Sequence, residues 1–199
     1  MMPTACINEF ARIQVGYQAR ERIQPNLDGS HVLLQAKDIN NSGEIDWDSL
    51  IKFFPKSSTS KAQLQNGDVI FLAKGYENTS ISVTQLAENV LASNSFYILR
   101  INQAFIIPDY LSWWINQAPA QEYIKLNRGG SYLPFLSVTA LSQLEVPIPS
   151  LEKQRTIAKI EMLRKKEIFL LDSYLSKKNA WINKICVNSL GKEEMISDG

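Results

Sequence analysis

The chain has little of what most enzymes use for chemistry. Its 199 residues hold one histidine, His31, and two cysteines, Cys6 and Cys186. The cysteines lie near opposite ends and match no CxxC or Cys/His spacing, so neither a zinc site nor a disulfide framework is indicated, and free thiols in a reducing compartment follow. His31 sits at a loop-to-strand junction without a recognisable nucleophile motif, which favours a surface or structural role. GxGxxG, GxxxxGK(S/T) and the Asn-Pro-Pro-aromatic tetrapeptide are all missing, and with them the usual signals for dinucleotide, triphosphate or methyl-donor binding. Glu122 and Lys125 follow Pro108-Asp109 but have two residues between them on a helical stretch. A metal-dependent nuclease strand separates acid and lysine by one, so this reads as a chance match. No cofactor and no metal site is expected.

Charge of one sign is also lacking. Twenty-one basic residues oppose 20 acidic ones, for a formal net charge of +1. The field of the whole molecule therefore offers nucleic acid little attraction, and any such binding must come from local clusters. No apolar run nears the ~20 residues that span a bilayer. Met1 to Glu9 lacks the basic and apolar regions of a signal peptide, so a cytoplasmic protein without a membrane partner is expected.

Glycine and proline are missing between Leu151 and Cys186. The stretch of ~36 residues would make a rod of roughly 54 Å with nothing to turn it back. Ile157, Ile160 and Leu163 open an apolar stripe. From Ile168 a heptad continues it, with Ile168, Leu175 and Trp181-Ile182 on one row and Leu171, Lys178 and Ile185 on the next. Lys178 interrupts the seam and the register slips before Ile168, so the coiled coil is imperfect. Such a stripe needs a partner helix.

What precedes the rod is its joint: Gly129-Gly130-Ser131-Tyr132, Leu136-Ser137, then Val146-Pro147-Ile148-Pro149-Ser150-Leu151-Glu152-Lys153-Gln154. Two prolines one residue apart cannot lie inside a central strand or helix, so they mark a rigid extended connection, with Ser150 as candidate N-cap. Upstream, Ile13 to Val15 and Val32 to Ala36 read as strands around the turn Pro25 to Ser30. Asn66-Gly67-Asp68 introduces the buried strand Val69 to Ala73, and further strands fit Ser80 to Val83 and Ser95 to Ile101. Pro108 opens a helix and Pro119 restarts it. Trp113 and Trp114, beside Leu111 and Ile115, read as core.

Basic and amide side chains fall in or near loops: Arg20 and Arg22, Lys37, Lys74 with Tyr76 and Asn78, and Lys125 with Arg128, Gly130, Ser131 and Tyr132. Loops on a rigid sheet can carry such groups to base edges, and glycine turns admit phosphates to backbone amides. These are the candidate DNA-binding residues. A helix C-cap explains Gly129 equally well, a plain turn explains Lys74-Gly75, and Arg164-Lys165-Lys166 reads as a solvated helix face.

The ordered set resembles the specificity (S) subunit of type I restriction–modification systems. The resemblance is carried by Leu34-Gln35-Ala36-Lys37-Asp38-Ile39, Asn66 to Phe71 with Lys74-Gly75, Tyr110-Leu111, Gly129-Gly130-Ser131, Leu136-Ser137, Leu141, and Val146 to Gln154 with Ile157-Ala158. It implies a non-catalytic subunit with a target-recognition domain that reads one half of a bipartite site in double-stranded DNA. The helical spacer sets the separation of the halves and helps dock methyltransferase (modification) subunits, with the restriction subunit as a further candidate partner. A full S subunit carries two such units, whereas this chain has length for one.

The expectation is an α+β fold: a mixed-sheet recognition domain over residues 1–149, a coiled-coil helix over 150–187, and a disordered tail over 188–199. Two copies would pair their helices antiparallel as a homodimer, through Ile157, Ile160, Leu163, Ile168, Leu171, Leu175, Ile182 and Ile185, and read an interrupted palindrome. The alternative is a protein-interaction adaptor, such as an antirestriction decoy that occupies methyltransferase subunits without reading DNA.

Overall fold

Val69–Leu72 (β5) is apolar at every position because both of its faces are covered. Side chains alternate across a strand, so Val69 and Phe71 point to one face while Ile70 and Leu72 point to the other. The computed structural model describes residues 2–40, 43, 45–84, 86, 88–130 and 132–190. β5 sits in a four-stranded antiparallel sheet with Ala11–Val15 (β2), Ser80–Ser82 (β6) and Phe96–Ile101 (β8), in the order β2-β8-β5-β6. One face, with Val69, Phe71, Tyr97 and Leu99, packs on helices Ile7–Phe10 (α1), Pro108–Ile115 (α2), Ala118–Asn127 (α3) and Val138–Ser142 (α4). The other face, with Ile70, Ile81, Phe96 and Ile98, packs on a second sheet.

That second sheet has Ile51–Phe53 (β4), His31–Leu34 (β3) and Val90–Ala92 (β7) in the order β4-β3-β7. β3 runs antiparallel to β4 and parallel to β7, which makes the architecture mixed as expected. Tyr17, Leu33, Phe53 and Leu91 build a third cluster on its outer side. The chain passes from one sheet to the other at Gly16, where a Cβ would lie 2.1 Å from the Ser93 carbonyl oxygen, so only glycine fits.

The Asn66-Gly67-Asp68 signal has a mechanism. Asp68, buried, accepts from Gln65 N at 2.8 Å and forms a two-pronged pair with Arg100, Nε to Oδ1 at 2.9 Å and Nη2 to Oδ2 at 2.7 Å. The hydrogen bond from the guanidinium to Asp68 is the main reason the Arg100 pKa is raised. A turn and a central strand are thereby locked together.

Pro108 occupies the first turn of α2 and Pro119 that of α3, as the sequence predicts. Thr4–Cys6 (β1) pairs antiparallel with Glu145–Pro147 (β11), a pairing that sequence reading missed. Desolvation, with Glu9 and Glu145 nearby, pushes the Cys6 thiol pKa up and keeps it a poor nucleophile.

The proline joint is held by a row of carbonyls. Glu145 O accepts from Trp114 Nε1 at 3.0 Å, Pro147 O from the Tyr110 hydroxyl at 2.9 Å, and Pro149 O from Gln154 Nε2 at 2.9 Å. In an extended segment alternate residues turn their N–H and C=O to the same side. Amides at 147 and 149 would confront those donors unpaired, and proline removes them. On the opposite side Ile148 N donates to Pro3 O at 2.8 Å.

The last helix, Leu151–Leu190 (α5), is one 40-residue segment. Ser150 Oγ accepts from Lys153 N at 3.4 Å, in the expected N-cap position. The chain divides into two compact units, one up to Lys159 and one from Ile160. The helix runs three residues past the predicted end at 187, so 188–190 are helical where a tail was expected; 191–199 lie outside the described residues.

Candidate nucleic-acid interface

Seven of the sequence-derived candidates fall on two segments that the fold laces together. β5 ends into the loop carrying Lys74, Tyr76 and Asn78, and α3 ends into a short hairpin of Arg128–Gly129 (β9) and Phe135–Leu136 (β10). Lys74 bridges to Phe135, Gly75 N donates to Pro134 O at 2.8 Å, and Leu136 N donates to Ala73 O at 3.0 Å. Arg128 Nη1 donates to Tyr76 O at 2.7 Å, and the Tyr76 hydroxyl reaches Tyr132 O at 3.5 Å. From the core, the Tyr97 hydroxyl donates to Leu136 O at 2.8 Å, and burial raises that phenol's pKa.

The loops are therefore rigid scaffolds for exposed side chains. Tyr76 is 72% and Tyr132 94% exposed, with Lys125 also open to solvent and Lys74 half-buried. A groove of about 700 Å³ runs along Tyr76, Gln121, Glu122, Lys125 and Arg128. Cationic groups beside open aromatic rings can meet phosphates and stack on bases. Glu122 shares the lining, so the cationic character is local and partly opposed. Gly130 has φ +89°, and a Cβ there would lie 2.7 Å from Leu133 O, so the hairpin turn itself requires glycine. Ser131 lies outside the described residues.

Asn78 corrects the sequence reading. It is buried, with Nδ2 donating to Leu72 O at 2.8 Å, while its own carbonyl accepts from Gln121 Nε2 at 2.9 Å. Its side chain closes the loop from inside, where burial keeps it from reaching a base. Phe135 and Leu126 were missed; both are exposed beside the cluster. An isolated apolar residue in a loop carries no local signal of exposure.

The remaining candidates lie elsewhere. Arg20 and Arg22 are exposed on a cavity of about 220 Å³ with Tyr17, Phe53 and Phe54. Neighbouring Glu21 accepts from Lys56 Nζ at 2.5 Å, which lowers the carboxyl pKa and raises the amine's. Lys37 is exposed on the 3-10 turn Ala36–Asp38. Of the residues weighed as a nuclease motif, Glu122 and Lys125 lie on α3, and Asp109, on α2, accepts from Ser82 Oγ. Among the described residues no group of three or more His, Cys, Asp or Glu is placed to bind a metal, and no helix is long and apolar enough to cross a membrane.

On α5, Ile160, Leu163, Leu171, Leu175, Ile182 and Ile185 are between 40% and 62% exposed, and Ile168 is half-buried. Ile157 is the exception and a second correction: it packs against the core of the globular unit. Arg164 pairs with Glu161 along the helix at 2.7 Å, as a solvated face would.

Residues 6–160 match the family model described as the type I restriction modification DNA specificity domain. Over 80 residues the chain is 31% identical to the type I restriction enzyme MjaIX specificity subunit of Methanocaldococcus jannaschii, covering 40% of this chain and 18% of that protein. A crystal structure of the S subunit of a type I restriction–modification system from M. genitalium superposes with a TM-score of 0.64 at 14% identity, over 98% of this chain and 47% of that one. A chain from a structural study of type I restriction–modification complex assembly and conformational transition gives 0.65 at 16% identity, over 92% and 43%. The chain thus spans under half the length of these solved relatives. With more than three quarters of its residues inside the family match, the chain belongs to the type I restriction–modification DNA specificity domain family.

Proposed function

We propose that the chain is a non-catalytic specificity subunit that reads one half of a bipartite DNA site and docks methyltransferase subunits on its helix. The reading is carried by one observation: Tyr76, Lys125 and Arg128 line one groove, and Tyr76 and Arg128 belong to two interlocked loops that also carry Lys74, Gly130 and Tyr132. Rigid loops reduce the ordering cost of binding, and their side chains can specify bases while the backbone turns take phosphate. The small net charge suits a reader whose partners supply much of the grip on DNA.

Residues 1–149 form the recognition domain in this reading, and 150–187 the spacer. Two copies pair their helices antiparallel and so complete a twofold-symmetric reader of an interrupted palindrome. The seam Ile160, Leu163, Ile168, Leu171, Leu175, Ile182 and Ile185 is widened by Leu170, Tyr174 and Trp181 to about 160° of the helix circumference. That is broader than a two-stranded coiled coil covers, and the surplus suits the methyltransferase.

Co-expression with the methyltransferase, followed by genome-wide mapping of methylated adenines, tests the proposal. A defined interrupted motif is expected, and it should disappear in Lys74→Ala and in Arg128→Ala. Unchanged methylation in both variants would remove these loops from recognition. Methyltransferase sequestered with no motif at all would mark a decoy instead.

A further inference from the structure

Residues 18–26 form an irregular loop tied to β4 and to the turn that follows it. Lys56 N donates to the Tyr17 hydroxyl at 3.1 Å, Ser57 Oγ donates to Gln18 O at 3.4 Å, and Asn26 N donates to Lys52 O at 2.9 Å. These bonds hold open the cavity of about 220 Å³ that Arg20 and Arg22 line. Its apolar wall is aromatic. Tyr17 and Phe53 are buried edge to face with ring centroids 5.6 Å apart, and Phe54 lines the same cavity while 54% exposed.

Four charged side chains share the lining. Glu21 and Lys56 pair with each other and cancel. Among the described residues Arg20 and Arg22 have no hydrogen bond or ion pair, so the cavity carries two uncompensated guanidiniums. A guanidinium matches phosphate oxygens with two parallel donors, and an exposed aromatic ring stacks a base. An inorganic anion would leave the ring wall unused, and an apolar ligand would leave both cations unused. A nucleotide uses both. The volume lies below the roughly 300 Å³ at which drug-sized pockets begin, which limits the occupant to one ring system.

We propose that this cavity is a nucleotide site, in which Arg20 and Arg22 hold the phosphate and Phe54, backed by Tyr17 and Phe53, takes the base. A base inside a paired duplex cannot enter such a pocket. The nucleotide therefore comes either from an unstacked position in bound DNA or from a free mononucleotide. The cavity shares no lining residue with the groove at Tyr76 and Arg128, and only its DNA form rests on the reading above.

The test is an anisotropy titration of the full chain at low salt against two labelled duplexes, one carrying a single unpaired adenosine and one fully paired. Calorimetry with AMP accompanies it. In the DNA form the unpaired duplex binds roughly tenfold tighter, equivalent to about 1.4 kcal/mol for one stacked base. Phe54→Ala brings the two duplexes to one affinity. Arg20→Ala with Arg22→Ala weakens the unpaired duplex and lowers the slope of log affinity against log salt by about 2. In the free form AMP binds with a millimolar or lower Kd, both sets of substitutions abolish that binding, and the two duplexes bind alike. Equal duplex affinities without any heat from AMP overturn the proposal. So does a duplex preference or an AMP signal that survives Phe54→Ala. Arg20, Arg22 and Phe54 are exposed, so all variants are expected to keep the wild-type unfolding midpoint. A methylation map without an interrupted motif would defeat the parent reading while leaving AMP binding intact.

Discussion

The globular unit and the segment from Ile160 onward solve the same problem in opposite ways. In the first, apolar side chains of both sheets and four helices are sealed, and Asp68 is paired inside with Arg100 and Gln154 with three backbone groups. In the second, Leu163, Phe169, Leu170, Leu171, Tyr174, Leu175 and Trp181 are all more than half exposed. A helix gains most of its stability from packing an apolar face. The body thus buries its apolar surface by its own contacts, while the long helix leaves much of its own exposed.

The sharpest way to break that contrast is Leu171→Asp with Leu175→Asp. A carboxylate forced into an apolar seam costs several kcal/mol per ion. The pair should turn a dimer into a monomer in sedimentation while the unfolding midpoint of the body stays in place. A surviving dimer would show that the seam is elsewhere. Asp68→Ala attacks the other side: it leaves the partly buried Arg100 with only the Gln63 carbonyl as acceptor and should lower the unfolding free energy by about 1–3 kcal/mol in urea titration. Dimerisation, by contrast, should persist at concentrations where the variant is folded.

Gly130→Ala sharpens the comparison within the body. Left-handed backbone at a non-glycine residue costs about 1–2 kcal/mol, and the added Cβ meets Leu133 O. The hairpin should loosen, visible as faster amide exchange around 128–136, with β5 and β8 still protected. The smallest effect concerns pH. Burial raises the pKa of Tyr97 and of Tyr110, so the neutral phenol is favoured in the fold. The stability this provides is complete below the ordinary tyrosine pKa of about 10 and is lost as pH rises through the folded values. Melting temperature should therefore fall in that alkaline window, and fall less in Tyr97→Phe.

Much of the fold was legible in local pattern. Pro108 and Pro119 mark helix starts because a missing N–H is harmless there, and Val69 to Leu72 announces a strand covered on both faces. β1 was not legible: Thr4–Cys6 is short and mixed, and only its partner β11 makes it a strand. At the candidate site the residue types were legible but their fates were not. Arg128 joins Tyr76 across 52 positions, while Asn78, equally polar and equally loop-borne, turns inward.

What the sequence determined by itself is whatever repeats or interrupts locally. The proline joint, the unbroken helix after it, the apolar stripe and the balance of charge all follow from periods of two or 3.6 and from backbone chemistry. The tertiary structure alone decided which loops meet, that Ile157 serves the body while Ile160 stays exposed, and that Gln154 is buried against Ile107 N. Those outcomes depend on which distant segment supplies the missing hydrogen-bond partner or apolar wall, and no window of neighbouring residues contains that information.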